Sequence, residues 1–159
     1  MEKLDIICVG TLKEKFLKEL CAEYQKRLSR FCKVNIIELS EFKLRENPVD
    51  ADIHRALEAE GRAMMSACDA GSFKIALCIE GEQYASEKFA KVMERAFLER
   101  GRVTLIIGSS HGISEDVKKT CDLRLSMSKM TFPHQLARGM LLEQVYRAYM
   151  IRTDRAYHK

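Results

Sequence analysis

Short apolar segments alternate regularly along this chain with longer segments of helical periodicity. Each short segment is followed by one in which apolar residues recur every three or four positions, the spacing of an amphipathic helix. The predicted strands are residues 4–9, 34–39, 73–79, 103–107 and 123–127, and the predicted helices are 12–31, 51–70, 86–100, 114–121 and 133–151. This alternation predicts an α/β domain with a mainly parallel sheet and helices on both faces.

Several helix ends carry local signals. Ser86 and Ser114 precede helical segments and are predicted to cap them, because a serine oxygen can accept a hydrogen bond from a free N–H of the first turn. Gly101 follows the third helix and offers the left-handed residue that commonly ends one. Pro133 suits the first turn of the last helix. That helix is apolar on nearly every side, which predicts packing against the sheet and against a second copy of the chain.

Length and composition agree with a single domain over residues 1–159. Hydrophobic residues make up 47% of the chain, enough for one sizeable core. No apolar run approaches the roughly 20 residues of a membrane span, and residues 1–5 lack the basic flank and apolar stretch of a secretion signal. None of the six cysteines forms a C-x-x-C pair, so we expect reduced thiols and no metal site. These features predict a soluble, cytoplasmic protein.

Positive charge is concentrated in the last quarter of the chain. Residues 1–123 hold 20 basic and 21 acidic side chains, whereas residues 124–159 hold seven basic and two acidic ones. Five of those seven are arginines, whose planar fork can bond two phosphate oxygens at once. The asymmetry indicates either a surface for RNA or phosphate, or a solvated helix face that keeps the protein soluble.

A ligand site is expected at the carboxyl ends of the later strands, because open α/β sheets bind ligands there. Gly81, Gly108 and Gly112 lie in these loops and would allow positive φ and close backbone approach. The loop over residues 126–134 adds methionine and phenylalanine surfaces, hydroxyls and backbone amides. This mixture suits a ligand with a thioether chain, an adenine ring and a ribose, although each loop alone also fits ordinary turn chemistry.

One motif indicates a different chemistry. Residues 108–112 read Gly-Ser-Ser-His-Gly and fit the G-x-S-x-G nucleophile elbow, and Ser110, Asp122 and His134 follow the chain order of a hydrolase triad. The chain is short for that fold, and it has no HGGG-type oxyanion segment. The helix cap at Ser114 also comes too late for an elbow. A small serine hydrolase is therefore the weaker alternative.

Several runs of residues form a specific combination. Ser-Met-Ser-Lys-Met-Thr-Phe-Pro-His at 126–134 is followed by Glu-Gln-Val-Tyr-Arg-Ala at 143–148 and by a terminal Ala-Tyr-His-Lys; Val-Gly at 9–10 and Ile-Gly at 107–108 precede them. In this combination, and from end to end without a large insertion, the chain resembles the ribosomal RNA large subunit methyltransferase H family. Members of this SPOUT-class group methylate N3 of a pseudouridine in 23S rRNA.

The resemblance implies properties that periodicity cannot show. The family fold is a parallel α/β sheet whose C-terminal part forms a trefoil knot, and its members are homodimers that act on 23S rRNA in the ribosome. The implied cofactor is S-adenosylmethionine, bound at the knot. The implied cofactor contacts are Leu77, Gly108, Met127, Ser128, Lys129, Met130, Thr131 and Phe132. Ser109 departs from the second glycine of many relatives; this puts cofactor affinity in doubt and supports an alternative, a ribosome-binding module without activity.

Candidate catalytic residues follow from the chemistry that the resemblance implies. The imide N3–H must lose its proton, and a nearby cation would favour the developing anion. Arg138 is the candidate for this role, with a phosphate contact or an ion pair within its helix as alternatives. His134, one turn earlier on the same face, would orient the loop or the base, or else cap the helix. Tyr157 and His158 lie in a polar tail that could close over a site, where Tyr157 would stack on the base.

Overall fold

The computed structural model describes residues 1–154, and within them it contains one five-stranded sheet and five helices. The strands are β1 (Glu2–Val9), β2 (Cys32–Leu39), β3 (Phe73–Glu82), β4 (Arg102–Ile107) and β5 (Leu123–Leu125). The helices are α1 (Lys15–Leu28), α2 (Asp50–Ala67), α3 (Ser86–Arg100), α4 (Glu115–Thr120) and α5 (His134–Arg152). The strand order is β2-β1-β4-β3-β5 and every pairing is parallel, which confirms the predicted α/β class.

The sheet is buried on both faces because its strands send apolar side chains to both sides. In β1, Leu4 and Ile6 face a core formed with α1, α3 and α5, whereas Ile7 and Val9 face a second core that α2 and α4 cover. All four side chains are almost fully buried. Near-continuous apolar strands of this kind are typical of parallel sheets with helices on both sides.

The last helix lies against two other helices. α5 packs on α1 and α3, and Leu142 and Val145 at its centre have no exposed surface. From His134 to Met150 none of its residues is fully exposed, which fits the nearly all-round apolar sequence. The predicted second copy of the chain and the predicted knot remain predictions of the sequence.

The predicted helix ends are partly confirmed. Ser114 caps α4, since its hydroxyl oxygen accepts a hydrogen bond from the Val117 N–H at 3.4 Å. Gly101 ends α3 with a φ of +67°. The prediction for Ser86 is wrong: the residue that precedes the first turn of α3 is Ala85. The Ser86 hydroxyl instead donates to Gln144 Oε1 at 2.9 Å and thereby joins α3 to α5.

The cysteines are unpaired thiols. Burial raises the pKa of Cys8, Cys32 and Cys121 to about 11, so these thiols stay protonated near neutral pH.

Among residues 1–154, no group of three or more His, Cys, Asp or Glu side chains is arranged to hold a metal ion. In the same part of the chain, none of the helices combines the length and the apolar character that a bilayer crossing requires.

Candidate active site

A cavity of about 690 Å³ lies at the carboxyl ends of β3, β4 and β5. Residues 77–80 in the last part of β3 and the loops 107–113 and 125–134 form most of its wall. These segments follow the strand ends at which the sequence predicts a ligand site. The predicted cofactor contacts that line the cavity are Leu77, Gly108, Met127, Ser128, Met130, Thr131 and Phe132. Lys129 belongs to the same loop but does not contribute to the wall.

The β4–α4 loop turns so tightly that it has no room for a side chain at Gly108. A Cβ atom at this position would lie 2.2 Å from the carbonyl oxygen of Gly112, and Gly112 itself has a φ of +87°. The Gly112 N–H donates back to the Ser109 carbonyl at 2.9 Å and closes the turn. The expectation of positive φ is therefore right for Gly112 and wrong for Gly108 and Gly81, where close backbone approach is the constraint.

Ser109 fits this loop without backbone strain. Its φ is not positive, so it avoids the conformation that would favour a glycine. Its hydroxyl donates to Glu60 Oε1 at 2.9 Å, and the other oxygen of Glu60 accepts a hydrogen bond from the Phe42 N–H at 3.2 Å. Glu60 is only 4% exposed. This carboxylate on α2 therefore connects the loop of the cavity to the segment that follows β2.

Replacement of Glu60 by alanine is expected to lower the free energy of unfolding by about 1–3 kcal/mol, because the Phe42 N–H and the Ser109 hydroxyl lose their acceptor. Urea denaturation measures this change. Glu58→Ala is the matched control on the same helix, since Glu58 is exposed and pairs with exposed His54. We expect the control to stay within about 0.5 kcal/mol of wild type. Equal effects of the two substitutions would contradict the connecting role of Glu60.

The loop after β5 is ordered by its own hydroxyls. The Ser126 hydroxyl donates to the Ser128 carbonyl at 3.0 Å, and the Ser128 hydroxyl accepts from the Met130 N–H at 3.0 Å. The Ser126 N–H also donates to the Glu82 carbonyl at 2.9 Å, which fixes the loop to the end of β3. Met127 packs against the core, whereas Met130 is largely exposed. The loop therefore offers the cavity both a rigid backbone and apolar side chains.

Sequence reasoning missed an ion pair in the cavity wall. Glu80, near the carboxyl end of β3, pairs with Lys118 of α4, and both residues line the cavity. The hydrogen bond from Lys118 holds the pKa of Glu80 below its ordinary value. The strand-end rule could have indicated Glu80, but no periodicity in α4 indicates Lys118. His111, for which the sequence indicates no role, also lines the cavity.

His134 and Arg138 occupy different environments although they are one turn apart. His134 is the first residue of α5 and lines the cavity, and the first turn has no side-chain cap. Arg138 is 3% exposed and lies outside the cavity wall. Its guanidinium donates to Glu38 Oε2 at 2.8 Å and to the Gly10 carbonyl at 3.2 Å. Arg138 is thus neither a surface phosphate contact nor half of an ion pair within its helix.

The other predicted catalytic residues, Tyr157 and His158, lie outside the described residues.

The three members of the predicted hydrolase triad do not come together in the structure. Ser110 and His134 both line the cavity, but Asp122 accepts a hydrogen bond from the Lys74 N–H at 2.8 Å, at the amino end of β3. Asp122 therefore lies at the opposite edge of the sheet, and the structure does not assemble the triad.

Comparisons with known proteins agree with this geometry. A family model described as "Predicted SPOUT methyltransferase" matches residues 2–158. The chain is 47% identical over 159 residues to a protein of Streptococcus gordonii and 44% identical over 158 residues to one of Streptococcus sanguinis, with 99% of each chain covered. Both are named ribosomal RNA large subunit methyltransferase H. A Clostridium perfringens protein named ribosomal RNA large subunit methyltransferase H 1 is 45% identical over 157 residues, 98% of this chain and 99% of its own.

Proposed function

Because the chain belongs to the SPOUT methyltransferases and, within them, to the ribosomal RNA large subunit methyltransferase H family, we propose that it methylates N3 of a pseudouridine in 23S rRNA with S-adenosylmethionine as the methyl donor. Methyl transfer to the RNA of the large subunit follows from membership of the family. The observation that carries the proposed donor is the cavity that Leu77, Gly108 and the loop 127–132 form together at the carboxyl ends of three strands.

The cavity fits the proposed cofactor in size and in chemistry. Its volume of about 690 Å³ lies within the range of small-molecule sites. Leu77, Met127 and Phe132 offer apolar surfaces for a thioether chain and an adenine ring, and the turn at Gly108 allows a ligand to approach the backbone. When bound there, S-adenosylmethionine supplies a methyl group activated by a positively charged sulfonium. The ion pair of Glu80 and Lys118 adds hydrogen-bonding groups for the polar ends of the cofactor.

The residues of the chain then have to hold the acceptor and favour the loss of its proton. Among the described residues, His134 is the polar side chain of α5 that lines the cavity, and we assign it the orientation of the base. Arg138 lies one turn behind it with its charge fixed by Glu38 and Gly10. We assign Arg138 an electrostatic role: a positive charge held at this place favours an anionic acceptor and fixes the first turn of α5.

Tyr157 and His158 are proposed to close over the site from the C-terminal tail, and the active form is proposed to be a cytoplasmic homodimer.

Ser109 gives no support to the alternative of an inactive ribosome-binding module, since it fits its loop without strain. The further alternative of a hydrolase lacks an assembled triad.

Alanine substitutions of Tyr157 and His158 are expected to reduce methyl transfer at least about tenfold each, because base stacking and orientation contribute to the transition state. The affinity for S-adenosylmethionine should stay within about twofold of wild type, since neither residue is assigned to the cofactor. Transfer of a labelled methyl group to ribosomes and calorimetry with the cofactor measure the two quantities. Wild-type transfer rates in both variants would contradict the proposed role of the tail.

Mass spectrometry of 23S rRNA nucleosides tests the proposed function as a whole. Cells that lack the protein should lose N3-methylated pseudouridine, and wild-type protein should restore it. An identical nucleoside profile with and without the protein would contradict the proposal.

A further inference from the structure

A second cavity, of about 520 Å³, lies beside the first at the carboxyl ends of β1 and β2. Its wall is mostly polar and includes Lys13, Glu38, Ser40, Glu41, His134 and Gln135. The first cavity has apolar walls from Leu77, Met127 and Phe132, so the two cavities suit different ligands.

His134 joins the two cavities, because it lines both of them. Gly10 has a φ of +86° and leaves open a space beside this ring. A Cβ atom at Gly10 would lie 3.9 Å from His134 Nε2 and 3.9 Å from Glu41 Oε2. An imidazole nitrogen and a carboxylate oxygen therefore border one small space at the junction of the cavities.

The two carboxylates of the second cavity differ in their partners. Glu38 forms an ion pair with Arg138, whose guanidinium lies 2.8 Å away. Within residues 1–154, neither Glu41 nor His134 has a side-chain hydrogen bond or ion pair to another residue. The backbone next to Glu41 is nevertheless anchored, because the Phe42 N–H donates to buried Glu60. Glu41 thus presents a free acceptor on a fixed segment.

A free carboxylate selects its ligand by charge and by hydrogen bonding. It repels phosphate, and when ionised it accepts hydrogen bonds but donates none. The edge of a nucleobase that presents an N–H group is therefore a better occupant of the space beside Glu41 than the RNA backbone.

We propose that the second cavity receives the acceptor base and that Glu41 recognises pseudouridine by accepting a hydrogen bond from its N1–H. The inference rests on the proposed function. Pseudouridine is joined to its ribose through carbon, so both ring nitrogens carry hydrogen, whereas N1 of uridine is used for the glycosidic bond. With N3 directed past His134 toward the first cavity, N1–H is the donor that remains for Glu41. Uridine in the same place would leave the carboxylate without a partner.

The test compares methyl transfer to large subunits that carry pseudouridine or uridine at the target position. The ratio of kcat/KM for the two substrates is measured for wild type, Glu41→Gln and Glu41→Ala, with a labelled methyl group. Wild type should prefer pseudouridine by about 10- to 100-fold, the usual effect of one hydrogen bond to a charged group. Both variants should lose most of this preference. Their affinity for S-adenosylmethionine should stay within about twofold of wild type, since Glu41 does not line the first cavity.

Glu46→Gln is the matched control, because Glu46 is exposed on the same segment and lines neither cavity. It should keep the wild-type preference. A wild-type ratio in both Glu41 variants overturns the inference, as does a wild-type protein that methylates both substrates equally well. A wild-type protein that methylates neither substrate overturns the proposed function, and the inference with it, so the two failures give different results.

Discussion

Replacement of Gly108 by valine is expected to abolish binding of S-adenosylmethionine at concentrations that saturate the wild-type protein. A Cβ atom at this position would lie 2.2 Å from the Gly112 carbonyl oxygen and 2.8 Å from Ile113 Cγ1, so the loop must move out of its place in the cavity wall. We expect the dissociation constant to rise at least about 100-fold, which corresponds to a loss of roughly 3 kcal/mol of binding free energy. Isothermal titration calorimetry measures it.

Gly71→Val provides the matched control for this substitution. Gly71 precedes β3 at the amino edge of the sheet, and a Cβ atom there would make only an ordinary contact, 3.4 Å from Asp69 Oδ1. We expect this variant to bind the cofactor within about twofold of wild type. Circular dichroism establishes that both variants are folded. Unchanged affinity of folded Gly108→Val would remove the β4–α4 loop from the site.

Replacement of Arg138 by methionine is expected to lower methyl transfer by about 100- to 1,000-fold while cofactor affinity stays within about threefold of wild type. Methionine keeps much of the length of the side chain but removes the charge that Glu38 and Gly10 hold at the start of α5. Lysine should restore only part of the rate, because its ammonium cannot bond both partners through a planar fork. Single-turnover transfer of a labelled methyl group measures the rate, and calorimetry measures the affinity.

Two further variants make this prediction specific. Arg95→Met removes an exposed arginine of α3 that pairs with Glu99, and it should leave the rate unchanged. Glu38→Gln keeps Arg138 but removes the charge of its partner, and we expect a smaller loss of rate than in Arg138→Met. Wild-type rates in folded Arg138→Met would show that Arg138 has no part in the reaction.

The alternation of apolar and amphipathic segments was sufficient to predict the fold class, because parallel strands buried on both faces need apolar side chains in both directions. In β1, Ile6 and Ile7 face opposite cores, and a run of this kind is read correctly from the sequence alone. The strand-end rule likewise located the cavity, since it depends only on the direction of the strands. The cap at Ser114 was also predicted correctly, because it is a local hydrogen bond to its own helix. The cap at Ser86 was not, because its hydroxyl donates to Gln144 of α5 instead.

The parts of the site that could not be predicted depend on contacts between distant segments. Arg138 bonds to Glu38, one hundred positions away, and Ser109 bonds to Glu60 of α2. Nothing in the local sequence of either residue indicates these partners. Asp122 shows the opposite error, because the chain order of a triad says nothing about which edge of the sheet each member occupies. Long-range packing decided all three.

A structure of the protein in complex with S-adenosylmethionine is the decisive test of the proposed cofactor site. We expect cofactor density enclosed by Leu77, the turn at Gly108 and the loop 127–132, with His134 at the side that opens toward the second cavity. Cofactor density at any other place on the protein, with this cavity left empty, would contradict the proposed binding site.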